Sequence, residues 1–480
     1  MLSVSQNSLY LISGSVIQKL LAFIYFIFLA RFLGPESVGK YTFAISFVAI
    51  FSVFIDIGLN QVLIRETARD QTKVKDYFNN TLTFKLICST IIYLIIILVV
   101  NLLGYPEITK KLVYLAGLVI IIDNLTNTVW AVLRGFRNLK YEGTGLGIYE
   151  LVVLGVGLVV LLLRLPLPFI ICPLILASVV YFIFALFFLI KKYQIKPRWS
   201  FDTLIIKQLI KVTLPFFLVG LFGTIFSYID VVLLSKLGGD KFVGFYSAAG
   251  KMPAGLRIIP IAFSSAFYPA ACFYFEKNKD ELKRITEKII FYLILFSLPL
   301  VAGLWVLADN LINILYGQKF LEAVPALRIL VWSILFVSLD YIFLAILNAC
   351  GQEKKNVFNR GIVMAAIIIL NLIFIPLFKH IGSALAFTLS FAILSILGGW
   401  MSQKIVCFSV KNILIRFFQI LFVSLVMGVI VLLLKTIVSL IPLIAIGAII
   451  YFVGLWIIGL IGKEDIQNFK NLIGFIRLHK

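Results

Sequence analysis

Ten ionisable side chains lie inside runs of apolar residues, and these are the positions where the sequence could do chemistry. The acids are Asp56, Asp123, Glu150, Asp230 and Asp340; the cations are Lys19, Lys85, Lys251, Arg257 and Arg328. An ionised group near a bilayer centre costs about 2.5–3.5 kcal/mol on insertion scales, so such a residue faces protein or a water-filled cavity. Two roles suit them. A cation can replace part of the hydration of an anion crossing low dielectric, and a carboxylate can take up H+ or Na+. A lysine or arginine near a helix end can instead snorkel to water. Lys85 and Arg328, about five residues inside their apolar runs, fit that simpler reading. Lys19 is about ten residues in, or about 15 Å at 1.5 Å per residue, and Arg257 is deeper still.

Spacing adds shape. Ser52, Asp56 and Asn60 fall at i, i+4 and i+8 and predict a polar stripe along one helix. Asp123, Asn127, Trp130 and Arg134 predict another. Such a stripe either lines a cavity or joins helices through side-chain hydrogen bonds, and both readings stand for Asp123 and Asn127. Lys251 and Arg257 are six residues apart, about 240° around a regular helix, so they share a face only if the helix bends. Pro253 and Pro260 supply the means. Other chemistries lack their residues. The five cysteines are scattered with no CxxC pair, there are two histidines, and no HExxH, phosphate loop or nucleophile elbow occurs. No metal centre or cofactor is expected, beyond H+ or Na+ as a coupling ion.

The elements that must position these charges follow from composition. The chain has 480 residues, 62% apolar and 14% charged, with mean hydropathy +1.08. A soluble domain runs at about 45–50% apolar and about 25% charged, so lipid is the solvent here. Fourteen stretches reach the roughly 20 apolar residues that cross a bilayer. They are 9–30, 41–63, 81–103, 111–133, 145–163, 168–190, 212–235, 243–272, 289–308, 323–349, 358–378, 381–402, 412–434 and 438–461. The fold class expected is an all-α polytopic membrane protein. Connectors on the side of the N-terminus hold 28 of the 43 Lys and Arg, including the tail from Lys463, and those on the other side hold ten. That split places both termini in the cytoplasm. The net charge of +21 is therefore topological, and no nucleic-acid partner is expected. The longest connector, 191–211, is basic and reads as an amphipathic linker lying on anionic headgroups.

The chain also repeats itself. Residues 33–44, LGPESVGKYTFA, are echoed by 237–249, LGGDKFVGFYSAA, with one residue inserted. AVLRGFR at 131–137 is echoed by AILNACG at 345–351, and Gly104-Tyr105 by Tyr316-Gly317. Three ordered echoes predict an N-terminal lobe of six helices (1–195), a second of six (196–405) and two added helices with a tail (406–480). Six crossings return the chain to its starting side, so the repeats are parallel, about an axis along the membrane normal. Charges can then be compared between halves. Lys251 matches Ser46, Arg257 matches Ser52, Asp56 matches Ile261, Lys19 falls opposite Gly223 and Asp230 opposite Phe26. A lobe can be built without these charges, which favours a role other than folding.

ARFLGPESVGKYTFA at 30–44, FIDIGLNQVLIRETARD at 54–70 and YGQKFLEAVPALRIL at 316–330 resemble the oligosaccharide-lipid flippases of the Wzx type. These form the polysaccharide-export branch of a superfamily that also holds multidrug antiporters and the lipid II flippase. The resemblance covers essentially the whole chain. It implies two helical bundles that open alternately to either side of the cell membrane. The substrate implied is a polyprenyl-phosphate- or diphosphate-linked oligosaccharide, moved from the cytoplasmic to the outer leaflet. Membrane lipid and polysaccharide-assembly proteins are the implied partners. For such a substrate Lys19, Lys251 and Arg257 have the sign to bind the lipid phosphate. Asp56, Asn60, Asp123, Asn127, Asp230 and Asp340 are then the coupling or cavity residues. A multidrug antiporter of the same fold would need an acidic pocket, whereas the deepest charges here are mixed or basic. A membrane glycosyltransferase or polymerase would need an outward catalytic loop, and the outward connectors are short and lack DxD.

Overall fold

In the computed structural model, which describes residues 4–460, the chain is built from helices, with no strand among the described residues. Eleven of them are long and apolar enough to cross a membrane, or twelve if the pair 318–330 and 333–349, bent by 41°, counts as one span. The sequence led us to expect fourteen. The difference arises where helix runs continue through a single non-helical residue. Val4–Asp56 (α1) passes through Gly34 at φ 78°, and Glu353–Val406 (α15) passes through Lys379 at φ 51°. Each holds two of the expected stretches. The basic tail from Lys463 lies outside the described residues.

The chain divides into two compact units. The first runs through Lys251 and takes in 316–320 and Arg360–Ala386. It contains α1, Leu59–Arg69 (α2), Val74–Leu102 (α3), Glu107–Gly135 (α4), Lys140–Leu162 (α5), Cys172–Tyr193 (α6), Thr203–Lys211 (α7), Leu214–Leu237 (α8) and most of Asp240–Leu256 (α9). Its core packs Leu29, Phe43, Phe47, Ile96, Leu112 and Val153 from α1, α3, α4 and α5. Phe43 stacks on Tyr105 at 4.5 Å, so the short connector after α3 is pinned by one of the echoed tyrosines.

The two copies of the first echo meet inside this unit. A Cβ added to Gly39 would fall on the backbone carbonyl of Asp240, 2.6 Å from its carbon. One added to Gly244 would fall on the carbonyl of Pro35, 2.7 Å from its carbon. When the two Val-Gly pairs are aligned, Pro35 is equivalent to Asp240 and Gly39 to Gly244. The contact is therefore reciprocal, the pattern a two-fold axis generates. Only a residue without Cβ lets two backbones approach this closely. The left-handed backbone also recurs in this register, at Gly34 (φ 78°) and Gly239 (φ 104°), one residue beyond the Gly238 that the plain LG match suggests.

The linker 191–211 is also held by the fold itself. After α6 it runs extended along α3. The N–H groups of Arg198 and Asp202 donate to the amides of Asn79 (3.0 Å) and Asn80 (2.5 Å), and that of Ser200 donates to the Thr83 hydroxyl (3.2 Å). Alternate N–H groups are satisfied this way because an extended chain points them to one side. Asp202 then caps α7, accepting from Leu204 N at 2.8 Å. Ile206 and Leu209 turn inward, while Trp199 and Leu204 stay exposed.

Among the described residues, the second unit holds 252–315, 321–359 and 387–460. Ile258–Lys277 (α10), Lys279–Val306 (α11), Ser333–Ala349 (α14), Val410–Leu434 (α16) and Leu440–Ile457 (α17) pack around Leu298, Ile342, Ile346, Val423 and Met427. Pro299 inside α11 has no N–H to give Leu295, four residues earlier. The Tyr451 hydroxyl of α17 donates to that carbonyl at 2.6 Å. A helix defect and a distant hydroxyl thus satisfy one another, which fixes α17 against α11.

Candidate functional site

Lys251 sits near the end of α9, on a turn weakened by Pro253. Its side chain is exposed, and its ammonium lies 4.6 Å over the Phe26 ring of α1. Its electrostatic partner is Glu150 on α5, a buried acid that also has Gln18 of α1 as a hydrogen-bond partner. Tyr25, Tyr41 and Tyr149 interact electrostatically with the same carboxylate. The result is a polar cluster of α1, α5 and α9 in which a cation lies over an aromatic ring and within the field of a buried carboxylate. Such a cation can exchange part of its attraction to Glu150 and Phe26 for an incoming phosphate. Lys19, next to Gln18, is exposed on α1. The expected residue set contained Lys251 but omitted Gln18 and Glu150. Glu150 was visible as an acid in an apolar run; its pairing had no sequence signal.

Arg257 lies in the second unit at the break between α9 and α10. Ile261 N reaches the Arg257 carbonyl at a long 3.3 Å, and Pro253 and Pro260 flank the break as the sequence predicted. The guanidinium stands 5.4 Å from the Phe387 ring centre and 5.7 Å from that of Phe391. Arg257 lines a small cavity with Pro253, Pro260, Ser333 and Ser338. Asp340, buried on α14, belongs to the same unit. Asp230 is a different case. It is buried on α8, accepts from the Tyr246 hydroxyl of α9 and from the N–H of Val231, and so joins two helices.

Several of the remaining expected residues are drawn into helix pairing. Lys85, expected to snorkel, is fully buried on α3 instead. It forms an ion pair with Asp56 and donates to the side-chain amide oxygen of Asn60 at 2.7 Å. Ser52, Asp56 and Asn60 do not form one regular stripe, because Ile57 and Gly58 adopt positive φ and separate α1 from α2. Asp56 and Asn60 converge on Lys85 across that break, with Asn60 N donating to Asp56 at 3.3 Å. The α4 stripe also divides. Asp123 accepts from Ser178 of α6 at 2.6 Å, Asn127 is exposed, Trp130 is buried against Tyr181, and Arg134 forms an ion pair with the buried Glu142. Arg328 keeps its expected surface character, pairing with Asp309 at 2.9 Å.

With the fold and these clusters described, comparison with known proteins identifies the kin of the chain. A "Capsular polysaccharide biosynthesis protein CapF" from Staphylococcus aureus is 24% identical over 390 residues, 80% of this chain and 96% of that protein. A "Putative O-antigen transporter" from Shigella flexneri is 23% identical over 422 residues, covering 84% and 98%. Among solved structures, the lipid II flippase MurJ in an inward closed conformation superposes with a TM-score of 0.77 over 93% of this chain and 97% of that one. At 16% identity this establishes a common fold. The family model described as polysaccharide biosynthesis protein matches residues 28–325, more than half of the sequence. The chain is a polytopic helical membrane protein and belongs to the polysaccharide biosynthesis protein family.

Proposed function

We propose that this chain is a flippase that moves a polyprenyl-phosphate- or diphosphate-linked oligosaccharide from the cytoplasmic to the outer leaflet. The observation that carries the reading is a cation, Lys251, exposed within membrane-length helices and held beside an aromatic ring and a buried acid. Arg257, beside the ring pair Phe387 and Phe391, offers a second. A capsular polysaccharide protein and an O-antigen transporter among the relatives support the substrate class. The lobes 1–195 and 196–405 would open alternately, and the reciprocal packing of Gly39 and Gly244 supports their equivalence. These two cations favour an anionic substrate over the cations a multidrug antiporter carries. An embedded carboxylate such as Glu150 or Asp123 would take up H+ or Na+ to drive the cycle, and the polysaccharide-assembly machinery would receive the product. The site is the cell membrane.

The test is delivery of lipid-linked oligosaccharide to the far leaflet of proteoliposomes, with stable yield measured on the same samples. Arg257→Ala and Lys19→Ala should nearly abolish delivery, and Lys251→Ala should reduce it strongly. Arg257→Lys should impair it measurably, because an ammonium is a point charge that lacks the bidentate fork. Unchanged delivery by Arg257→Ala at normal yield would remove that residue from the site. Imposed H+ or Na+ gradients in the same vesicles identify the coupling ion.

Orientation is tested separately. Reporter tags at residues 2 and 480 should both register cytoplasm, as the bias of Lys and Arg requires. A C-terminal tag that reports the outside would break the parity on which the two-lobe reading depends.

A further inference from the structure

The first unit has a cleft, at the end of the spans opposite the N-terminus, that the flippase reading does not use. It encloses about 530 Å³ between the end of the first segment of α1 and the end of α5. Arg31 and Arg164 line it, and Phe32, Val160, Leu161 and Ile170 are among its apolar walls; no acid is among the lining residues. Outside the cleft, Leu162, Leu163 and Phe169 are exposed apolar side chains, as lipid-facing residues are. The charge bias makes two converging arginines uncommon here, since only ten Lys and Arg fall in connectors on this side.

The way α5 ends puts one of these arginines in an unusual place. Leu165 N donates to Val160 O at 3.2 Å and Arg164 N to Leu161 O at 3.1 Å, a Schellman-type stop. Arg164 occupies the left-handed position of that stop, with φ 50°. Glycine fills such a position at lower conformational cost and does so after α3, at Gly104. Arginine at this corner brings a guanidinium to the cleft rim.

We propose that this cleft binds the headgroup of an anionic membrane phospholipid, with Arg31 and Arg164 holding the phosphate and the apolar wall holding the first part of the acyl chains. Arg31 also interacts with protein. A guanidinium has five N–H donors in a planar fork, so it can hold a protein acceptor and a phosphate oxygen at once. A cleft of this size suits a glycerophosphate head rather than a whole glycan-bearing lipid. Its apolar lip would keep the acyl chains in the bilayer. The occupant follows from charge, from the lipid-facing rim and from placement at headgroup depth.

The test uses the purified full-length chain in mild detergent and native mass spectrometry with three added lipids: phosphatidylglycerol, phosphatidylcholine and undecaprenyl phosphate. Wild type should retain one phosphatidylglycerol that Arg31→Ala/Arg164→Gly loses, with apparent affinity down by about tenfold or more. Phosphatidylcholine should be held weakly and equally by both proteins. Undecaprenyl phosphate adducts should survive in the variant, because their site lies elsewhere. Arg164→Gly removes the guanidinium while relaxing the backbone, so a thermal midpoint no lower than wild type is expected for that single variant. Equal phosphatidylglycerol retention by wild type and the double variant would overturn the proposal. So would equal preference for phosphatidylcholine, or loss of undecaprenyl phosphate in place of phosphatidylglycerol.

Discussion

Replacing Gly39 or Gly244 with leucine should abolish recovery of folded protein from detergent. At both positions the first atom of any side chain lands on a backbone carbonyl of the other echo, and backbone cannot rotate away as a flexible side chain can. Alanine is the graded version. Gly39→Ala must push α1 and α9 apart locally, an overpacking cost of about 1–3 kcal/mol, and Gly244→Ala should cost about the same. Because the contact is reciprocal, the double alanine variant should cost clearly less than the sum of the two, since one separation relieves both clashes. Gly155 in the middle of α5 is the control: nothing lies within 4 Å of an added Cβ, so Gly155→Ala should be neutral or stabilising by about 0.5–1 kcal/mol. Thermal midpoints and monodisperse yield on size exclusion measure all of these. Additive penalties for the two alanines would mean that the echoes do not share one interface.

The second large effect is expected at Asp56. Its carboxylate is the counter-charge to the fully buried ammonium of Lys85, and Asn60 supplies one more acceptor at 2.7 Å. Asp56→Ala leaves that ammonium with a single neutral partner, a class of change that costs about 3–5 kcal/mol. Lys85→Met removes the buried charge and keeps most of the volume, so it should cost less than Asp56→Ala. Combining Lys85→Met with Asp56→Asn should restore much of the yield lost in Asp56→Ala, because no unpaired charge then remains inside. The measurement is detergent-stable yield and thermal midpoint, with delivery assayed per folded molecule. If Asp56→Ala keeps its yield and loses only delivery, Asp56 is part of the transport cycle rather than a clasp between α1, α2 and α3.

The sequence alone determined the solvent, the helical class and the apolar stretches. Each is written in composition or in local spacing: about 20 apolar residues make a span whatever they pack against. It also marked the charges that matter, since a carboxylate or ammonium in an apolar run is conspicuous without any partner in view. The Pro253 and Pro260 break at Arg257 was legible for the same local reason. Tertiary structure decided whom each charge meets. Asp56 and Lys85 are 29 residues apart, and no spacing rule joins them; helix packing turns a lysine expected at the surface into a buried partner. The same holds for Lys251 and Glu150, on helices that meet only when α1, α5 and α9 assemble. A regular stripe through Ser52, Asp56 and Asn60 was a sound reading of period, but two positive-φ residues broke it, and the polar groups converged by another route. Local geometry follows from the chain itself, whereas electrostatic pairing depends on which helices are neighbours, and that is settled only by packing.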